Sequence, residues 1–283
     1  MKDSMQQNNI AFVGGGNMTR AIVAGLLDSG HPAGNIAIAE PSDSQREILG
    51  NAFPGIFVTA DNDEAVSRGR SVILAVKPQV IASVCRKLRA TVRNSRPLII
   101  SIAAGPRIAD IDHWLGGGNA IVRVMPNQPA LLRKGISGVY ANPATTPEQL
   151  MTAKEIMSAV GPVVTVQSEQ DIDAVTAVSG SGPAYFFLLI DMLAETGASL
   201  GLDADAARRL AVETACGAAT LAQTSDCSMN ELIARVRSPG GTTAAALDSL
   251  EASGIRDIFA RALTAARDRA IVLADNAHLS AQD

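Results

Sequence analysis

Apolar residues in the first half of the chain fall into short β-branched runs, and the segments between them carry apolar residues at helical spacing. Ile10–Val13, Ile36–Ala39, Phe57–Val58, Val72–Val76, Leu98–Ile102 and Ile121–Val124 predict strands. Strands with so little polar alternation are buried on both faces, which predicts a parallel sheet covered by helices. Pro147 to Val160 predicts a helix stopped by Gly161 and Pro162, followed by a strand over Val163–Val166. After Gln167 the period changes. Helical patterns cover 171–178, 183–200, 204–223, 229–236, 243–252 and 256–277, with no convincing alternating run. The expected architecture is α/β, with a doubly wound parallel sheet over residues 1–167 and an all-helical domain over 168–283. Several of the later helices are apolar on more than one face, as Tyr185 to Leu193 shows. A domain of roughly 115 residues cannot bury that much surface alone, so a homodimer or larger oligomer built on it is expected.

Composition narrows the function. The 283 residues suffice for two domains at roughly 150 residues each. Lys and Arg number 24 against 28 Asp and Glu, a net charge of −4 with no long basic block, which argues against a polyanion-binding surface. With 6 Phe, 2 Tyr and 1 Trp, platforms for stacking unpaired bases are scarce, and no nucleic-acid partner is expected. The longest strongly apolar stretch, Ala184 to Ile190, is cut by Asp191, short of the ~20 residues that cross a bilayer. Met1 to Asn9 is polar and has no hydrophobic signal core. A cytoplasmic protein without membrane association is expected. Cys85, Cys216 and Cys227 are scattered like reduced thiols, and His31, His113 and His278 are equally dispersed. No metal site is expected, and the chemistry must proceed without imidazole.

The strand Ile10–Val13 runs into Gly14-Gly15-Gly16-Asn17-Met18-Thr19 and then an amphipathic helix. Gly14 and Gly16 fill the first two positions of GxGxxG, where a side chain would block the turn or hold a pyrophosphate away from the helix amides. Thr19 stands at the third position, where Gly or Ala packs more closely. A glycine triplet also occurs in plain turns, but a strand before it and a helix after it favour a Rossmann dinucleotide site. Glu40 ends the second strand 24 residues beyond Gly16, where a carboxylate can accept ribose hydroxyls and repel a 2′-phosphate. It tilts the expected coenzyme toward NADH, although Glu40 could equally be a solvated residue before Pro41 and the Ser42 hydroxyl could serve a phosphate. Ala75-Val76-Lys77-Pro78 and Ser101-Ile102-Ala103-Ala104-Gly105 follow the fourth and fifth strands, at the sheet edge where such folds bind ligands. Lys77 is as readily a solvated charge before a helix opened by Pro78 as a phosphate contact.

Two glycine-proline interruptions mark the helical half. Ser179-Gly180-Ser181-Gly182-Pro183 and Ser238-Pro239-Gly240-Gly241-Thr242-Thr243 are each expected to present free amides and hydroxyls at a helix N-terminus, a cradle for a small carboxylate. Ordinary capping is the alternative, but two glycines at 240 and 241 exceed what a cap needs.

In order and spacing, Gly15-Gly16-Asn17-Met18, Ala75–Pro78, Ser101–Gly105, Arg123-Val124-Met125-Pro126-Asn127, Asp173-Ala174-Val175-Thr176, Ser179–Tyr185 and Ser238–Thr243 resemble pyrroline-5-carboxylate reductase, from about Ile10 to Leu273. The resemblance implies reduction of 1-pyrroline-5-carboxylate to proline, the last step of proline biosynthesis, with NADPH or NADH as hydride donor. It implies a Rossmann domain, a helical domain that interlocks with its partner in a dimer, and in some members a decamer. It implies that Ser238, Gly240, Gly241 and Thr242 hold the substrate carboxylate, that Thr243 reaches the ring nitrogen as the catalytic hydroxyl, and that Glu169 borders the substrate. For the cofactor it adds Asn17, Met18 and Asn62, the last near the adenosine, to Gly14, Gly16, Glu40, Ala75, Val76, Lys77, Pro78, Ala103, Ala104 and Gly105. Gln128 stands where the family usually has Thr, and no role is assigned to it. Glu40 replaces the small or hydroxyl residue of several NADPH-preferring relatives.

Reduction of a cyclic imine requires positioning more than an enzyme nucleophile, because the cofactor carries the hydride chemistry. A 3-hydroxyacid dehydrogenase of the same two-domain plan is the nearest rival, but it normally uses a lysine in the helical domain, and no Lys follows Lys154. A non-catalytic dinucleotide-binding regulator is the rival from another class; intact Ser238 and Thr243 argue against it.

Overall fold

The computed structural model describes residues 8–279; Met1–Gln7, most of the polar N-terminal segment, lies outside the described residues. Eight strands form one sheet: β1 (Ile10–Val13), β2 (Ile36–Ala39), β3 (Phe57–Thr59), β4 (Ser71–Leu74), β5 (Leu98–Ser101), β6 (Ile121–Met125), β7 (Ser137–Ala141) and β8 (Val163–Thr165). Their order is β3-β2-β1-β4-β5-β6-β7-β8, and all neighbours from β3 through β6 are parallel. The order reverses direction between β1 and β4, which is the switch point where doubly wound sheets open a ligand crevice.

The strands alternate their apolar side chains between two cores. Ile10, Phe12, Ile36, Ile38, Ile73 and Ile100 face one layer, packed by Ile22 and Leu26 of α1 (Asn17–Asp28). Ala11, Val13, Ala37, Val72, Leu74 and Ile99 face the other. That second layer is built from α3 (Asn62–Arg68), α4 (Pro78–Ser95) and α5 (Ile108–Leu115), which follow α2 (Asp43–Ala52) along the chain. Both faces are covered, as the unbroken apolar runs require.

One strand escaped the sequence pattern. β7 pairs antiparallel with β6, and β8 then runs parallel to β7, so the sheet is not wholly parallel. The segment Ser-Gly-Val-Tyr-Ala has few β-formers because Gly138 must lie against the next layer: a Cβ there would sit 2.5 Å from Val175 Cγ1. α6 (Pro147–Ser158) crosses between β7 and β8 and opens with a reciprocal cap between Thr146 and Gln149.

By contacts the chain divides into two compact units, residues up to Gly180 with Ala266 onward, and Ser181–Ala265. The first unit thus includes α7 (Asp171–Val175) and the end of α12 (Ile255–Leu279), whose Ala270 and Ala274 are buried. The second contains α8 (Gly182–Ser199), α9 (Ala204–Thr224), α10 (Met229–Val236), α11 (Thr242–Ala252) and the start of α12. It has almost no core of its own: among its described residues only Gly182, Ala207 and Ala211 are buried. Phe186, Phe187, Leu188, Leu193 and Leu210 are all more than half exposed.

The break expected at Ser179–Pro183 narrows to one residue: Thr176–Gly180 forms a π-turn, Ser181 is a bend in helical conformation, and α8 starts at Gly182 with Pro183 in its first turn and no side-chain cap. The Thr176 hydroxyl donates to Ile172 O at 2.8 Å and that of Ser179 to Val175 O at 3.0 Å, so both are absorbed by their own helix and neither caps a new one. An extra residue is accommodated by widening one turn. Asp171–Ser199 is therefore a 29-residue helical run with mean hydropathy 1.3 in its apolar part, long and apolar enough by length and composition to cross a membrane. The short stretch at Ala184–Ile190 understated this length.

Candidate active site

The glycine turn after β1 is built by close contacts that exclude side chains. Gly14 has φ +103°, and a Cβ on it would lie 2.8 Å from the carbonyl oxygen of Ala75, just beyond β4. Its N–H donates to Ala39 O at 2.8 Å, tying the turn to the end of β2. Thr19, the apparent misfit at the third motif position, is fully buried, and its hydroxyl donates to Gly14 O at 2.7 Å. A hydrogen bond thus fixes the turn where other sequences rely on a small residue. Gly16 meets nothing within 4 Å of its missing Cβ and serves as N-cap of α1, which no side chain caps. The first N–H groups of α1 point into that open space beside Asn17 and Met18, which suits a pyrophosphate.

Glu40, half-buried before Pro41, is more organised than a solvated residue would be. One carboxylate oxygen accepts the N–H of Gly15 at 2.9 Å and the other that of Ser42 at 3.0 Å. Gly15 therefore couples the nucleotide turn to the acidic residue. Arg46, in the first turn of α2, reaches back to the same loop, donating to the carbonyls of Glu40 and Pro41 at 2.8 Å and pairing with Asp43.

The other expected cofactor residues follow the carboxyl ends of neighbouring strands. Ala75 and Val76 come after β4, where exposed Lys77 is the N-cap of α4 and Pro78 its first residue. Asn62 is the first residue of α3, whose N-terminus is capped by Asp61. Ala103 is buried, Ala104 exposed and Gly105 buried beyond β5. Gly105 also has a packing role: at φ +104° its missing Cβ would sit 3.4 Å from Leu273 O of α12. Gln128 is exposed at the start of a 3₁₀ turn, Gln128–Leu132.

Glu169 belongs to a buried ion cluster that sequence analysis missed. Its Oε1 accepts the backbone N–H of Ile108 at 2.7 Å and pairs with Arg123 Nη1 at 3.1 Å. Arg107 Nη2 pairs with Asp173 at 2.8 Å, and Arg123 Nη2 donates to Gly105 O at 3.2 Å. Burial pushes the Arg123 pKa down, while Glu169 and Asp173 hold its charge. The cluster links β6, the loop after β5 and α7. A signal did exist, since Arg123 interrupts the apolar strand Ile-Val-Arg-Val-Met, and a charge in a buried strand demands a partner.

In the second unit, Ser238–Gly241 forms a turn with Gly241 N–H donating to Ser238 O at 3.0 Å and Gly240 at φ +70°. A Cβ on Gly241 would collide with the Ser238 hydroxyl, which lies directly beneath it. Gly241 is the N-cap of α11, again without a side-chain cap, and Thr242 and Thr243 occupy the first turn. Arg237 Nη2 pairs with Asp248 Oδ1 at 2.5 Å, bracing the turn against the helix it opens. The amides of that first turn are available to an anion.

A doubly wound sheet with a glycine turn at its switch point, in a chain that also carries a helical unit, defines a dinucleotide-dependent oxidoreductase. Residues 9–105 match the family described as NADP oxidoreductase coenzyme F420-dependent, and 169–273 that described as Pyrroline-5-carboxylate reductase dimerisation. The pyrroline-5-carboxylate reductase of Pseudomonas aeruginosa is 44% identical over 271 residues, covering 96% of this chain and 98% of the relative. The solved pyrroline-5-carboxylate reductase of Coxiella burnetii has a TM-score of 0.91 at 40% identity, covering 94% of this chain and 98% of the other. The pyrroline carboxylate reductase of Plasmodium falciparum, solved with NADP bound, has a TM-score of 0.82 at 27% identity over 95% of this chain and 99% of the other. The chain belongs to the pyrroline-5-carboxylate reductase family.

The ion cluster makes a stability prediction. Arg123→Met leaves Glu169 and Asp173 without their shared cation and should destabilise the fold by about 3–5 kcal/mol in urea unfolding. Asp173→Asn in the same background should recover part of that loss; an unchanged midpoint for Arg123→Met would show that the cluster is not a structural link.

Proposed function

We propose that this chain reduces 1-pyrroline-5-carboxylate to L-proline with NADH or NADPH, the final step of proline biosynthesis. The observation that carries the reading is the glycine-capped N-terminus of α11 with Thr243 in its first turn, in a chain of this family. The functional division we assign is a dinucleotide-binding domain over 1–167 and a substrate-binding and dimerisation domain over 168–283.

Gly14, Gly16, Asn17 and Met18 would receive the pyrophosphate at the head of α1. Glu40 and Asn62 would flank the adenosine end, and Ala75–Pro78 and Ala103–Gly105 the strand ends along which the dinucleotide lies. When bound, the reduced nicotinamide supplies the hydride. The amides opened by Gly240 and Gly241, with the Ser238 hydroxyl and Thr242, would grip the substrate carboxylate, replacing an arginine clamp by oriented backbone dipoles. The Thr243 hydroxyl would hydrogen-bond to the ring nitrogen as it changes from imine to amine, orienting the electrophilic carbon without a covalent step. Glu169 contributes by holding Arg123 and the loop before α5 in place.

The apolar face of α8 is the surface we assign to a second copy of the chain, consistent with the matched dimerisation segment. Larger assembly to a decamer, a cytoplasmic location, and the absence of membrane and nucleic-acid partners belong to the same proposal. The apolar run Asp171–Ser199 then serves subunit contact.

Oxidation of NADH and of NADPH, each with pyrroline-5-carboxylate against a blank, tests the reading; no substrate-dependent oxidation with either would refute it. Thr243→Ala should lower kcat far more than it weakens NADH binding, and an unchanged kcat would remove Thr243 from the reaction. Because Glu40 places a fixed carboxylate beside the nucleotide turn, Glu40→Ser should raise the ratio of kcat/KM for NADPH over NADH by about tenfold, equivalent to 1.4 kcal/mol. A ratio that stays put would take coenzyme choice away from Glu40.

A further inference from the structure

The amino ends of β5 and β6 carry a feature that net charge conceals. Helix α4 buries Ile81, Cys85, Leu88 and Val92 on one side. Along an adjoining side, Arg86, Arg89 and Arg93 recur at intervals of 3 and 4 residues, which stacks them in one stripe of a 3.6-residue helix, and Arg96 follows as the left-handed C-cap. No contiguous basic block exists, so a linear scan passes over the stripe.

The arginines border a groove of about 1300 Å³, whose lining includes Lys87 and the turn Gly116–Gly118 and contains no acidic and no aromatic side chain. Gly116, Gly117 and Gly118 have φ of 102°, 89° and 78°, three successive left-handed residues that leave one wall as bare backbone. Gly117 and Gly118 face open space where a Cβ would be. Arg89 is anchored, donating to Trp114 O at 3.3 Å and His113 O at 3.4 Å, and the Asp112 carboxylate is taken up by the amides of Gly118 and Asn119. Among the described residues Lys87, Arg93 and Arg96 form no ion pair.

We propose that this groove binds a small polyphosphate anion at a site separate from the coenzyme. Guanidinium groups match phosphate oxygens in paired hydrogen bonds, and several cations converging on one concavity repel one another until an anion enters. With no aromatic wall and a high density of cations, recognition in the groove rests on the phosphates. Its floor precedes β5 and β6, whereas the nucleotide turn and the Ala75 and Ala103 loops follow the strands' other ends. Occupancy of one therefore leaves the other open.

Calorimetric titration of the full chain with inorganic tripolyphosphate, in the presence of saturating NADP⁺ to block the pyrophosphate site, tests this. One binding site is expected, weakened by about tenfold or more in Arg93→Gln/Arg96→Gly. Arg96 is itself left-handed at φ 46°, so glycine there relieves strain and keeps the variant folded. NADPH KM and imine reduction should be unchanged in that variant. Absence of binding beside NADP⁺, or equal affinity in the variant, would overturn the proposal. So would co-sedimentation with phosphatidylserine vesicles that the variant abolishes while tripolyphosphate fails to bind. Because the readout is binding, failure of the reductase reading would leave this result standing.

Discussion

The structure turns on helix N-termini left open. Ser42, Asp61, Thr146, Asp203 and Ser228 cap α2, α3, α6, α9 and α10 with their side chains, so capping residues are used freely in this chain. At α1 and α11 the N-cap is glycine and no side chain covers the first amides. A side-chain cap contributes typically ~1 kcal/mol, and glycine forgoes little of it while giving an anion direct approach to the backbone. The proposed substrate is a carboxylate and the cofactor a pyrophosphate, and the open ends of α1 and α11 match those two charges. The sheet order serves the same end, since it brings Gly14 against Ala75 at the one place where neighbouring connections diverge.

Around those open ends the structure is rigid. Thr19 holds the Gly14 carbonyl, Glu40 holds the Gly15 and Ser42 amides, and Arg237 pairs with Asp248 across the turn before α11. The Arg107–Arg123–Glu169–Asp173 cluster does the same deeper in the fold, joining β6 and the loop after β5 to α7. Buried charges of this kind contribute little net stability against a hydrophobic replacement, but removing one partner is costly. Their effect is to fix where the loop from Ala103 to Gly105 lies. The helical unit shows the opposite economy, with large apolar side chains left uncovered, which is why a second copy of the chain is part of the account.

Much of this was legible in the sequence, for physical reasons that differ by element. Ile10–Val13 and Ile121–Val124 announced buried strands because both their faces are covered, and the turn at Gly14–Gly16 was visible because positive φ and the close approach of Ala75 permit only glycine at Gly14. β7 was not visible, since Gly138 sacrifices β-propensity to let Val175 pack against it. The interruption inferred at Ser179–Pro183 shrinks to Ser181, and the free hydroxyl expected of Ser179 bonds back to its own helix, an alternative that residue type alone does not distinguish from capping. The ion cluster joins Arg107 and Arg123 to Glu169 and Asp173, residues far apart in sequence, so only the lone charge in β6 hinted at it. The arginine stripe on α4 was hidden by counting charge along the chain instead of around the helix.

The central claim, that backbone amides at the head of α11 grip the substrate carboxylate, is tested most directly by a crystal structure of the chain with NADP⁺ and proline. The account predicts the proline carboxylate on the amides of Thr242 and Thr243 with the ring nitrogen at the Thr243 hydroxyl. A proline carboxylate bound to any other group, with those amides facing only water, would contradict it.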